Sequence, residues 1–170
     1  MLVPLTVSDF LDRATTVYAD RVGVVDEPQQ PAPSLGELTY ADLGALAQRQ
    51  AARLDELGVG VGERVAVVSH NSARLLGSFF GVAGSGRVLV PVNFRLSREE
   101  VAYIVEHSGA SVLWVDPELE ESLSSVHADV KHVLGDDDEL YAAPGALAQP
   151  WEADENATAC INYTSGTTAR

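Results

Sequence analysis

Val82-Ala83-Gly84-Ser85-Gly86-Arg87-Val88-Leu89-Val90-Pro91-Val92-Asn93 joins a helix end, a glycine stop and an unbroken apolar strand. A strand with no polar side is the pattern expected when both faces of a parallel sheet are covered. Just upstream, Leu75, Leu76, Phe79, Phe80 and Ala83 recur at helical spacing and are expected to face a core. Asn71 or Ser72 can cap that helix, and Gly86 suits its end. Just downstream, Ser97-Arg98-Glu99-Glu100 reads as a capping box, which makes Glu99 and Glu100 helix-start charges rather than a catalytic pair.

The same alternation continues in both directions. Towards the N-terminus, residues 7–18 carry a helical pattern and Val22-Gly23-Val24-Val25 a short strand, followed by a Pro/Gln-rich loop over 27–36. Leu43, Leu46, Ala47, Ala51, Leu54 and Leu57 line one face of a helix over 40–57, with Gly58 placed to end it. A strand is predicted over 64–68. Because Gly58-Val59-Gly60-Val61-Gly62 precedes that strand rather than following it, a dinucleotide fingerprint is the wrong reading. Further strands are predicted over 111–115 and 130–134 with a short helix over 117–125 between them. Residues 135–155 read as a surface connection, and a final strand resumes at Thr158. The prediction is an α/β fold: alternating strands and helices in a largely parallel sheet flanked by helices, as one unit over residues 1–170.

That final strand, Ala159-Cys160-Ile161-Asn162-Tyr163, runs into Thr164-Ser165-Gly166-Thr167-Thr168-Ala169-Arg170. Four hydroxyl side chains besides one glycine suit phosphate binding. Glycine lets successive N–H groups converge on an anion, and each Ser or Thr adds a short donor. The Gly-x-x-x-x-Gly-Lys-Ser/Thr loop of P-loop NTPases is absent from the sequence, as is a Gly-x-Ser-x-Gly elbow around Ser165. Taken alone, the stretch is equally readable as a polar loop.

Tyr163 to Arg170 resembles the phosphate-binding signature of the adenylate-forming superfamily, which includes acyl-CoA synthetases, nonribosomal peptide adenylation domains and luciferases. Leu38-Thr39-Tyr40-Ala41-Asp42-Leu43 and Val82 to Asn93 resemble two earlier motifs of that family, in the right order. Gly62-Glu63-Arg64-Val65-Ala66-Val67, Asn93-Phe94-Arg95-Leu96, Glu99 to Ile104 and Ser108-Gly109-Ala110 are similar to its fatty-acyl-CoA ligase branch. The departures are Glu63 for an aspartate, Ser85 and Arg87 where small or apolar residues are commoner, and Ala169 at a frequent glycine position.

The resemblance implies the N-terminal part of the large domain of an ATP-dependent acyl-CoA ligase. In such an enzyme a carboxylic acid, here a fatty acid, is adenylated with release of pyrophosphate and then transferred to coenzyme A. It implies that Thr164, Ser165, Gly166, Thr167, Thr168 and Arg170 hold the phosphates of ATP, with Mg2+ and CoA as the other participants. No catalytic residue is assigned in these 170 residues, so the segment alone is expected to be inactive. Protein contacts are expected with the C-terminal part of the enzyme or with a second copy. The alternative is a non-catalytic scaffold or interaction module derived from a truncated ligase.

Composition narrows the remaining classes. With 11 Lys and Arg against 25 Asp and Glu, the net charge of −14 repels nucleic acid and anionic membranes. It repels ATP too, so a nucleotide must be held by local donors and counter-ions. No apolar run approaches the ~20 residues that cross a membrane. The single Cys160 cannot form an internal disulfide, and a cytoplasmic location is expected. No metal site is assigned. His70, His107, His127 and His132 are scattered, and Asp136 to Glu139 lacks the glycine and distant glutamate of an EF-hand.

Overall fold

The computed structural model describes residues 4–135 and 137–164. In chain order they form α1 (Val7–Tyr18), β1 (Val22–Val25), β2 (Glu37–Thr39), α2 (Tyr40–Glu56), β3 (Arg64–Ser69), α3 (Ala73–Gly81), β4 (Val88–Asn93), α4 (Arg98–Ser108), β5 (Ala110–Val115), β6 (Val130–Val133) and α5 (Asp137–Leu140). The four later strands make a parallel sheet in the order β4-β3-β5-β6. β1 and β2 pair antiparallel in a separate ribbon.

Burial explains the apolar strands. Val65, Ala66, Val67 and Val68 of the interior strand β3 are all fully buried. Successive side chains point to opposite faces. Val65 and Val67 join Leu54, Leu89, Val112 and Trp114 in one cluster, while Ala66 and Val68 join Val90, Leu113 and the α4 residues Val101, Ile104 and Val105 in the other. Helix starts follow their side-chain caps: Thr39 accepts from Asp42 N, Ser72 from Leu75 N and Ser97 from Glu100 N. Glu100 in turn accepts from Ser97 N at 2.8 Å. Those backbone and hydroxyl donors at Ser97 hold its carboxyl below the usual range, as expected of a capping charge.

The helical approach of α3 to α2 is closer than its apolar spacing suggests. A Cβ at Gly81 would collide with Gln50, so the buried positions of α3 include the small residues Ala73, Gly77, Ser78 and Gly81. Leu75 and Phe79 pack against the first cluster as expected, but Leu76 is turned outward and exposed. A small-residue seam has displaced one member of the predicted apolar face.

Three connections depart from the sequence reading. The helix expected over 117–125 is only the 3₁₀ turn Pro117–Leu119 followed by turns. Serine competes for backbone partners there, with Ser122 Oγ donating to Leu119 O at 3.0 Å. The stretch expected to be a surface connection contains α5 and buries Leu140, Tyr141 and Ala142. Ala142 N donates to Arg49 O at 3.0 Å and Arg49 Nε to Ala142 O at 2.7 Å, which fastens it to α2. The strand expected from Thr158 is a single parallel bridge, Cys160 against Leu89.

Beyond α5 the chain is fixed by Trp151. Its indole Nε1 donates to Gly84 O at 3.1 Å, and its ring covers Gly86, whose φ is +80°. A Cβ on Gly86 would lie 2.6 Å from Trp151 Cε3. Gly86→Ala is therefore expected to cost roughly 2 kcal/mol, combining left-handed strain with the clash. A urea melt of Gly86→Ala in a Trp151→Ala background isolates the backbone share, and an unchanged midpoint for the single variant would refute the assignment.

Candidate functional site

Ligands of open parallel sheets gather beyond the carboxyl ends of the strands. That edge presents His70 after β3, Asn93 and Phe94 after β4, and Asp116 and Glu118 after β5. The segment leading to the predicted phosphate loop is carried towards the same edge. Leu89 N donates to Ala159 O at 3.0 Å and Ile161 N to Leu89 O at 2.9 Å, so residues 159–161 run parallel to β4. Ile161 and Tyr163, two apart, pack against the same cluster, as extended chain requires. Thr164 lies four positions after Cys160, as Asn93 lies four after Leu89, and an extended run reaches the strand ends.

Tyr163 fixes the direction of that run. Its hydroxyl is 2.7 Å from His107 Nδ1 on α4, and the two rings meet edge to face at 5.8 Å. Tyr103 stacks on the other ring partner, His107, at 5.3 Å. Burial pushes the Tyr163 phenol up, so it stays protonated and serves as an anchor. Thr164, the first predicted phosphate ligand, is exposed. Ser165, Gly166, Thr167, Thr168, Ala169 and Arg170 lie outside the described residues.

Cys160 is half-buried, and its thiol is 3.6 Å from Asn162 Oδ1. Burial raises its pKa, which suits a packing residue rather than a nucleophile. His107 is a further residue at this site that sequence reasoning passed over. Fifty-six positions separate it from Tyr163, and only the topology of α4 beside residues 161–163 brings them together.

The unusual residues of the second motif are structural. The buried Arg87 guanidinium donates from Nη1 to Ser85 Oγ at 3.0 Å and from Nε to Val59 O at 2.9 Å. Its Nη2 lies 2.5 Å from Asp55 Oδ1. Ser85 and Arg87 therefore depart from the family pattern together, as one hydrogen-bonded set. Glu63 accepts from Gly60 N and closes the turn before β3. Arg64 joins that turn to the end of α4, donating from Nε to Ser108 O at 2.9 Å and from Nη2 to Gly109 O at 2.7 Å.

Among the described residues no helix is long and apolar enough to cross a membrane. Residues 11–170 match the family model described as AMP-binding enzyme. The long-chain-fatty-acid–CoA ligase of Thermus thermophilus is 35% identical, across 96% of this chain and 32% of the relative. The Mycobacterium tuberculosis long-chain-fatty-acid–CoA ligase FadD13 is 35% identical, across 77% of this chain and 28% of its own length. The N-terminal domain of FACL13 from Mycobacterium tuberculosis superposes with a TM-score of 0.79 at 30% identity, covering 95% of this chain and 42% of that one. A long-chain-fatty-acid–CoA ligase of Archaeoglobus fulgidus shares the fold, with a TM-score of 0.84 at 21% identity, covering 99% of this chain and 36% of that one. The chain thus spans about a third or less of the length of these curated relatives. By its motifs, its parallel sheet and these matches, the chain belongs to the AMP-binding enzyme family.

Proposed function

We propose that these residues supply the nucleotide-phosphate grip of a cytoplasmic, AMP-forming acid–thiol ligase whose acid is a fatty acid. The observation that carries this reading is the parallel pairing of residues 159–161 with Leu89, which directs the chain up to Thr164, the first residue of the hydroxyl-rich glycine motif, towards the carboxyl edge of the sheet. The relatives named as fatty-acid–CoA ligases support the choice of acid. In the reaction, a carboxylate oxygen attacks the α-phosphorus of ATP, the bond to the bridging oxygen breaks, and pyrophosphate departs. The thiolate of coenzyme A then attacks the acyl carbon and AMP leaves. A carboxylate is already ionised at neutral pH, so the first step needs no general base.

The work of Thr164, Ser165, Gly166, Thr167 and Thr168 is to position the β- and γ-phosphates and to stabilise charge on the leaving group, with Arg170 adding positive charge beside them. Thr164 is exposed and accessible to an arriving nucleotide. Mg2+, bound with the nucleotide, would offset phosphate charge against a chain of net charge −14.

Pyrophosphate release from ATP and a long-chain fatty acid tests the reading, measured on the 170-residue chain and on the full gene product. The isolated chain is expected to release none. The gene product is expected to release pyrophosphate in step with acyl-CoA. A gene product that binds neither ATP nor fatty acid would favour the non-catalytic scaffold instead.

A further inference from the structure

We propose that His70, Asp116 and Glu118 form a binding site for a divalent transition-metal ion of the zinc class. β3 and β5 are neighbours, with Val68 opposite Val115 at the end of their register. His70 and Asp116 therefore leave adjacent strand ends, and the turn at Pro117 returns Glu118 to the same point. One donor atom from each of the three lies within 4.8 Å of the others. His70 Nε2 and Glu118 Oε1 are already in direct contact.

Metal–ligand distances of about 2.0–2.1 Å at a tetrahedral centre put donors roughly 3.3 Å apart. From donors no more than 4.8 Å apart, only small adjustments reach that spacing, including a slight parting of His70 Nε2 and Glu118 Oε1 to admit the ion. Glu118 is exposed enough to make them, while the other two donors are held. The His70 ring stacks on Phe94 at 3.6 Å, and the buried Asp116 accepts from Glu118 N at 3.4 Å. One imidazole and two carboxylates suit a borderline cation such as Zn2+ or Co2+ better than a soft ion, and better than Ca2+ with its all-oxygen shell. Three protein donors leave a coordination position open towards the groove bordered by Gln30, Asn71 and Arg95. These residues belong to none of the phosphate-loop positions, so the proposal stands apart from the ligase reading.

The experiment titrates the untagged protein with Zn2+ against a chromophoric chelator, and with Co2+ while its visible absorption is followed. One saturable ion per chain is expected. Glu118→Gln, at an exposed position, and His70→Ala should each weaken binding by about tenfold or more. His127→Ala should leave it unchanged. Zn2+ should raise the thermal midpoint of the parent but not that of Glu118→Gln. Binding that survives both the Glu118→Gln and His70→Ala changes, or that is lost with His127→Ala, overturns the site, as does the absence of a saturable ion.

Discussion

Arg87→Ala is expected to lower the unfolding free energy by about 3 kcal/mol, the low end for breaking a buried ion pair by removing one partner. The guanidinium side chain is 4% exposed and binds Asp55, Ser85 and the Val59 carbonyl at once. Removing it leaves those acceptors without their donor in a space too enclosed for free hydration. The low end is chosen because Asp55 retains 21% side-chain exposure and still accepts from Gln149 N at 2.7 Å. Urea unfolding checks the value. The double change Arg87→Ala with Asp55→Ala should cost clearly less than the sum of the two single changes, since neither charge is then stranded. A loss below about 1 kcal/mol for Arg87→Ala would show that the set contributes little net stability.

Thr167→Ala in the full gene product is expected to depress ATP-dependent turnover by about a hundredfold, the scale of losing one donor to a developing negative charge. The backbone N–H groups of the loop remain, so turnover should fall rather than vanish. If the hydroxyl stabilises the departing pyrophosphate, kcat falls while the KM for the fatty acid stays constant. Thr167→Ser, which keeps the hydroxyl, should recover most of the rate. Kinetics of Thr167→Ala equal to those of the parent would remove the loop from the mechanism.

Local chemistry made much of the fold legible. Ser97 and Glu100 announce α4 because a capping box satisfies its first N–H groups within four residues of sequence. The central residues of β3, β4 and β5 announce strands because a sheet covered on both faces leaves them no polar side. The failures come where distant packing decides. Leu76 is exposed because Gly77 and Gly81 let α3 approach α2, and residues 140–142 are buried because Arg49, some ninety positions earlier, binds them. The candidate site divides in the same way. The hydroxyl-rich loop is readable as a contiguous motif, whereas Tyr163 with His107 and His70 with Glu118 are pairs made only by folding. A rule that collects polar residues immediately after successive parallel strands would have found His70, Asp116 and Glu118.

The strand order β4-β3-β5-β6 also bears on how the chain comes off the ribosome. β3, the earliest strand of the parallel sheet, is already an interior strand, and every later one adds to an outside edge. β4 takes one flank, β5 the other, and β6 extends the second, so nothing formed early must open to admit a latecomer. Domains that can consolidate from the N-terminus outward during synthesis expose their growing edge for only as long as the next strand takes to emerge. For β4 and β5 that interval is spanned by α3 and α4, whose apolar side chains pack on the two faces of the sheet, and for β6 by the turns over 116–129.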